Sequence, residues 1–277
     1  MIELLRGALG ALDDADSPVR ARLLARLAAA LTPPTSREST EEIVALMRAA
    51  TAMSRRLGDR QVLLYVLQFA ATVALLVPDD ERFSFMHETV QLATALDQRL
   101  VLLQALPSYI TALLARAEPA EARALLPRYQ ELLAESRQPL HQVHRALVQA
   151  MFSALAGDFD EAERLSAEAR AAAERAGSDA GVRLWLSQRL SFALLRGRPE
   201  LLAPEAGQII AIFEQMASGG GYVAWTLVSI GRREEAARRL RGIDLSGRDI
   251  PSANLMELLG AAEACVQLAD RELGEVI

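Results

Sequence analysis

The 277 residues are rich in leucine, alanine, glutamate and arginine, hold only 5% aromatics and lack runs of alternating valine, isoleucine and threonine. This composition favours an all-helical protein with ample material for a core. A net charge of −6, with 30 basic and 36 acidic residues interspersed, excludes the basic stripe that direct nucleic-acid binding needs. The single cysteine, Cys265, excludes an internal disulfide and, in the apolar stretch "GAAEACVQLAD", reads as a buried thiol in a reducing compartment. No stretch reaches the roughly 20 apolar residues of a membrane span, and "MIELLRGALGALDDADSP" has no basic region ahead of a long apolar core. The expected location is cytoplasmic, with no membrane contact.

Helix-ending signals recur along the chain. "RRLGD" ends at Asp59, "TALDQ" at Gln98, "AESRQ" at Gln138 and "ERAGS" at Ser178, with gaps of 39, 40 and 40 residues. A second set of breaks lies halfway between them, after Leu76 and around Pro119, Asp158 and Pro199. Each period therefore holds two helices and two short connections. The spacing predicts a helix over 2–12, then the pairs 18–31 with 40–57, 60–76 with 80–97, 99–115 with 119–135, 139–156 with 159–176, 179–196 with 200–216 and 220–230 with 233–242. A helix at 251–269 begins a seventh pair.

The connections carry matching chemistry. Pro18, Pro119 and Pro199 sit where a first helical residue would, the position at which proline loses no hydrogen bond. Ser17 is an expected N-cap, Ser39 with Glu42 has capping-box spacing, and Asp158 with Glu161 is an Asp-led version. Gly58 and Gly177 follow helical runs where a left-handed residue is wanted. The chain opens and closes part-way through a unit, with "MIELL" and "LGEVI" apolar at its ends. Solenoid ends need a polar face, so the expectation is a single array over 1–277 that is part of a longer protein or caps itself, by homodimerisation through those ends in one version.

"GDFDEA" (157–162) and "GRREEA" (231–236) resemble the inter-helix turn of tetratricopeptide repeats, with Ala162 and Ala236 at the small position where the helices cross and Ala150 and Ala224 meeting them. The period is nearer 40 than 34, and most units lack the tryptophan, glycine and tyrosine of the shorter repeat's first helix. With "DSPVRARLLARLA", "SRRLGD" and "GRREEAARRL", the whole chain is similar to the helical arrays that follow the ATPase module in large bacterial regulators, LuxR-type ones included. The resemblance implies a right-handed, TPR-like α-solenoid of about six to seven helix pairs. It implies the sensor or protein-interaction part of a signalling protein, without the ATPase loop or a helix-turn-helix.

No convergent catalytic set is visible, and no enzyme, cofactor or metal is expected. His141 and His144 share a helical face, but "HQVHRALVQ" supplies no third ligand a turn further on, and His87 stands apart. "SGGGYVAW" (218–225) has neither a preceding strand nor a following lysine, so it reads as a flexible connection or hinge rather than a phosphate loop. Asp79–Asp80 and Glu234–Glu235 fall at helix starts, where the dipole favours negative charge.

In stacked helix pairs the first helices line the concave side. That places Phe69, Gln104, Thr111, His144, Met151, Ser187, Ser191 and Trp225 on the expected binding surface for a protein or peptide segment or a small effector. Trp185 is expected in the core, and Pro107 to bend the helix 99–115. Two other readings stand beside this one: a small-molecule-binding enzyme or biosynthetic protein with an enclosed apolar pocket, and a structural dimerisation module.

Overall fold

The computed structural model describes residues 1–136, 138–216, 219–243, 252–269 and 271; the C-terminal "LGEVI" and Pro251 lie outside them. Among the described residues the chain is helical throughout, with no strand. It divides into two compact units, Met1–Leu132 and Leu133–Ile277.

The first unit holds α1 (Ile2–Gly10), α2 (Pro18–Ala30), α3 (Arg37–Leu57), α4 (Arg60–Leu67), α5 (Ala70–Val73), a 3₁₀ turn (Ala74–Leu76), α6 (Asp79–Ala95), α7 (Arg99–Ala115), α8 (Pro119–Ala124) and most of α9 (Leu126–Glu135). α2 packs on α3, α4 on both and on α6, and α6 on α7. α1 leans on α2 but buries no residue fully, leaving Met1 and Leu4 79% and 78% exposed.

The second unit holds α10 (Pro139–Leu155), α11 (Phe159–Arg175), α12 (Asp179–Leu195), a 3₁₀ segment (Pro199–Glu205), α13 (Ala206–Phe213), α14 (Gly220–Ser229), α15 (Arg233–Arg241) and α16 (Ser252–Leu268). α10 and α11 form a tight hairpin on which α12 lies. Ala150 and Ala162 share one buried cluster and Ala224 and Ala236 another, and all four are fully buried. Trp185 is core, packed with Leu186, Leu202 and Ile209.

The helix ends share one design. Asp97, Ala117, Gly157, Gly177, Gly197 and Gly231 all have positive φ. After each, the next amide donates to the carbonyl five residues back, as in Gln98 to Ala93, Asp158 to Ser153 and Arg232 to Leu227 at 2.8, 3.0 and 2.9 Å. This is the left-handed helix stop, which satisfies carbonyls that would otherwise be orphaned. From Asp97 to Gly197 the spacing is 20 or 40 residues, the gap falling at position 137, outside the described residues. Gly58 has the same conformation at φ 69°.

At the other ends Ser17 accepts from the Arg20 amide and Asp158 from that of Glu161. The expected Ser39–Glu42 box is corrected: Ser36 caps α3 in a reciprocal pair with Ser39, so the helix starts earlier, at Arg37. Three expected helices are broken. The stretch 119–135 divides at Leu125, just ahead of Pro127, and 199–205 is wound as 3₁₀ with Pro204 inside it, because proline cannot supply the amide an α-helix needs there. The stretch 60–76 divides at Gln68–Phe69 and ends at Val77, which Pro78 holds extended. α7 runs through Pro107 without interruption.

Candidate functional site

The second unit brings four of the expected surface residues onto two touching helices, α10 and α12. His144 and Met151 lie two turns apart on α10, Ser187 and Ser191 one turn apart on α12, and all four are half-buried. Burial and the neighbouring His141 push the His144 imidazole down to about 4, so it is neutral at pH 7. His141 itself is buried, with Nδ1 2.5 Å from the Ser136 hydroxyl. The Ser187 hydroxyl donates to the Arg183 carbonyl and that of Ser191 to the Ser187 carbonyl, each at 3.0 Å. Both hydroxyl protons are thus spent within the helix, leaving acceptor lone pairs and no base-activated nucleophile. Gln188 ties the helices by donating to the Leu147 carbonyl at 2.8 Å. Leu155, Leu184 and Leu195 expose 55%, 43% and 59% of their surface on these helices. The result is a surface of neutral polar groups among aliphatic ones.

In the first unit Phe69 is half-buried at the break between α4 and α5. Tyr65, one turn earlier, meets it edge-on with ring centroids 5.5 Å apart, and the Arg22 guanidinium of α2 lies 5.2 Å over the Tyr65 ring. The Tyr65–Phe69 spacing was visible in the sequence; the approach of Arg22 from another helix was not. Gln104 and Thr111 are exposed on α7, the Thr111 hydroxyl donating to the Pro107 carbonyl at 2.6 Å.

Sequence reasoning also passed over a polar array between α6 and α7. The His87 ring stacks on Phe83 (centroids 5.5 Å apart, planes at 14°), with Nδ1 2.8 Å from the Tyr109 hydroxyl and Nε2 2.7 Å from the Gln91 amide. Arg116 covers Phe83 at 4.5 Å while its guanidinium donates to Asp80 at 2.7 Å. Burial, then Glu121 and Glu118, raise the Tyr109 hydroxyl pKa, so it stays protonated. These contacts bind α6 to α7. Among the described residues no three His, Cys, Asp or Glu side chains converge on a metal site.

Trp225 is not a surface residue. It is 2% exposed and packed in the core of the second unit, because α14 is apolar on every side and is enclosed by α13, α15, α16 and the 3₁₀ segment. The glycines beside it, Gly219 to Gly221, are not a flexible connection either. Gly219, Gly220 and Gly221 are buried, and a Cβ on Gly221 would stand 1.9 Å from the Glu257 carbonyl oxygen. A Cβ on Gly260 would stand 2.8 Å from the Gly221 carbonyl carbon, so α14 and α16 cross backbone to backbone. The anion at this helix start is the chain's own: the Glu257 carboxylate accepts from the Gly220 amide at 2.9 Å.

Burial raises the Glu257 pKa, against the opposing pull of the Gly220 and Gly221 amides and of Arg239. A carboxyl whose pKa is higher folded than unfolded favours folding most below its unfolded value and loses that contribution as pH rises through its folded one. Wild type is therefore expected to gain stability relative to Glu257→Gln as the pH is lowered from 7 towards about 4.5. Paired thermal melts measure this, and a difference that stays constant with pH would count against the burial effect.

No protein-family model matches the sequence, and no curated protein matches it.

Proposed function

We propose that the chain is a non-enzymatic helical-repeat module, resembling tetratricopeptide arrays, that binds a protein segment or small effector for a bacterial signalling or regulatory protein. In this reading the helices stack as a right-handed solenoid of six to seven pairs. The observation that carries it is the left-handed helix stop recurring at 20-residue steps, because a fixed stop at a fixed spacing makes successive hairpins alike. First helices then repeat the same outward positions. Thr111, Met151, Ser191 and Trp225 each stand six residues before such a stop, and outside the enclosed α14 Thr111 is exposed while half-buried Met151 and Ser191 belong to a neutral, mixed surface suited to a peptide or effector.

The test is site-specific photocrosslinking in a lysate of the source cell, with a benzophenone amino acid replacing Ser187 or Ser191 in the full chain. The expected result is a discrete adduct at these positions and none at an exposed site on α11. No adduct at either position, or equal labelling on α11, overturns the reading. Adducts with a second copy of the chain would favour self-association, the alternative to which exposed Leu4 on α1 also points.

A further inference from the structure

Charge is divided between the helices in a way the net value conceals. α3, α6, α8, α9, α11, the 3₁₀ segment 199–205 and α15 all carry Asp or Glu. α2, α4, α5, α7, α10 and α14 carry none, and α12 has only Asp179, in its first turn. Apart from α16, which carries Glu257 and Glu263, the helices that the repeat reading places on the binding side are thus almost free of carboxylates in a chain of net charge −6. Their charged residues are arginines, and the chain contains no lysine at all.

This pattern is most developed on α2 and two of the helices packed on it, α4 and α5, another being the acidic α3. Ala21, Leu24, Ala25, Leu27 and Ala28 turn into the core of the first unit, leaving Val19, Arg22 and Arg26 on the opposite, exposed face at helical spacing. Val19 is 54% exposed. Arg20, on the flank of the same helix, pairs with Asp14 at 2.8 Å. Arg22 and Arg26 have no carboxylate partner among the described residues; Arg22 lies over Tyr65, which in turn meets Phe69. Several other arginines of this unit are matched with acids, as Arg48 is with Glu81, Arg55 with Glu88 and Arg56 with Asp16, each at 2.6 Å.

We propose that this face, Val19, Arg22 and Arg26 with Tyr65 and Phe69, binds an acidic protein segment that carries an aromatic or aliphatic side chain. The proposal rests on the repeat-module reading and adds the chemistry of its partner. A guanidinium offers a planar fork to a carboxylate and keeps its charge at any physiological pH, and stacking on Tyr65 restricts Arg22 before the partner arrives. Arg22 and Arg26 are one turn apart, so carboxylates on one extended or helical segment can meet both. Phe69 and Val19 offer the apolar contact that excludes water beside those pairs. Acids on the neighbouring second helices disfavour an acidic segment there, which confines it to the first-helix side through repulsion as well as attraction.

A phage-displayed library of random dodecapeptides, selected on the full chain and on the Arg22→Glu/Arg26→Glu double variant, tests this. Both positions are exposed, and circular dichroism checks that the variant folds. The expected result is enrichment of peptides combining Asp or Glu with an aromatic or aliphatic residue. Such peptides should bind the double variant at least about tenfold more weakly, and should lose affinity for wild type as salt is raised. Selected peptides without acidic enrichment, or unaffected by the double variant, overturn the proposal while leaving the repeat-module reading intact. Failure to select any peptide also overturns the proposal, while the repeat-module reading stands or falls on the photocrosslinking at Ser187 and Ser191. A wild-type mass in light scattering that doubles and reverts in the double variant would give the face to a second copy and also overturn the proposal.

Discussion

Replacing Trp225 with alanine is expected to destabilise the second unit by about 4 kcal/mol, the usual cost of emptying a large aromatic site in a packed core. Trp225 is among the largest fully buried side chains, set with Val223, Ala224, Leu227 and Phe213 in one cluster. At about 3 °C per kcal/mol for a unit of this size, the melting temperature should fall by about 12 °C. Trp225→Phe is the informative control. It keeps most of the apolar ring and removes an indole N–H that has no partner among the described residues, so its cost should stay within about 1.5 kcal/mol. A Trp225→Ala protein that melts like wild type but loses its partner would mean that the indole is a contact residue after all.

Gly221→Ala should cost about 3 kcal/mol although it adds a single methyl group. The new Cβ would be 1.9 Å from the Glu257 carbonyl oxygen and 3.0 Å from the Ala261 amide nitrogen. Both are backbone atoms of α16, which no rotamer change can move aside, so the helices must separate and part of the surrounding packing opens. Gly58→Ala makes the contrast. Its Cβ would meet nothing, and its only difficulty is the φ of 69°, worth about 1 kcal/mol. Thermal melts of the two variants separate steric contact from backbone strain, and equal losses would refute the close crossing.

What was legible in the sequence was whatever short-range chemistry decides. Ser17, Asp158, Gly58 and Gly177 act through hydrogen bonds and dihedrals within one turn, so their roles follow from their neighbours in the chain. The break around Leu125 was less visible, because an internal proline does not always end a helix: α7 runs through Pro107, whereas the chain breaks ahead of Pro127. Trp225 occupies the same place in its helix as Met151 and Ser191, and nothing local distinguishes them. Its burial comes from α13, α15 and α16 closing around α14. The glycines at 219–221 mislead for the same reason: glycine permits both freedom and close approach, and only Gly260, far along the chain, decides between them. Of the surface residues, Phe69 could be named in advance, whereas its neighbour Arg22 arrives from another helix.

The crossing of α14 and α16 also bears on the order in which the chain can fold. Hairpins such as α2–α3, α6–α7 and α10–α11 join residues close in sequence, so each closes a short loop and can form while later residues are still on the ribosome. The contact between Gly221 and Gly260 has no such local route. It must wait for α16 to be synthesised and returned over α15, and until then α14, apolar on all sides, stands partly uncovered. That interval is when a nascent chain most needs a chaperone, and shortening translation pauses after residue 230 should raise the yield of folded protein more than any change upstream.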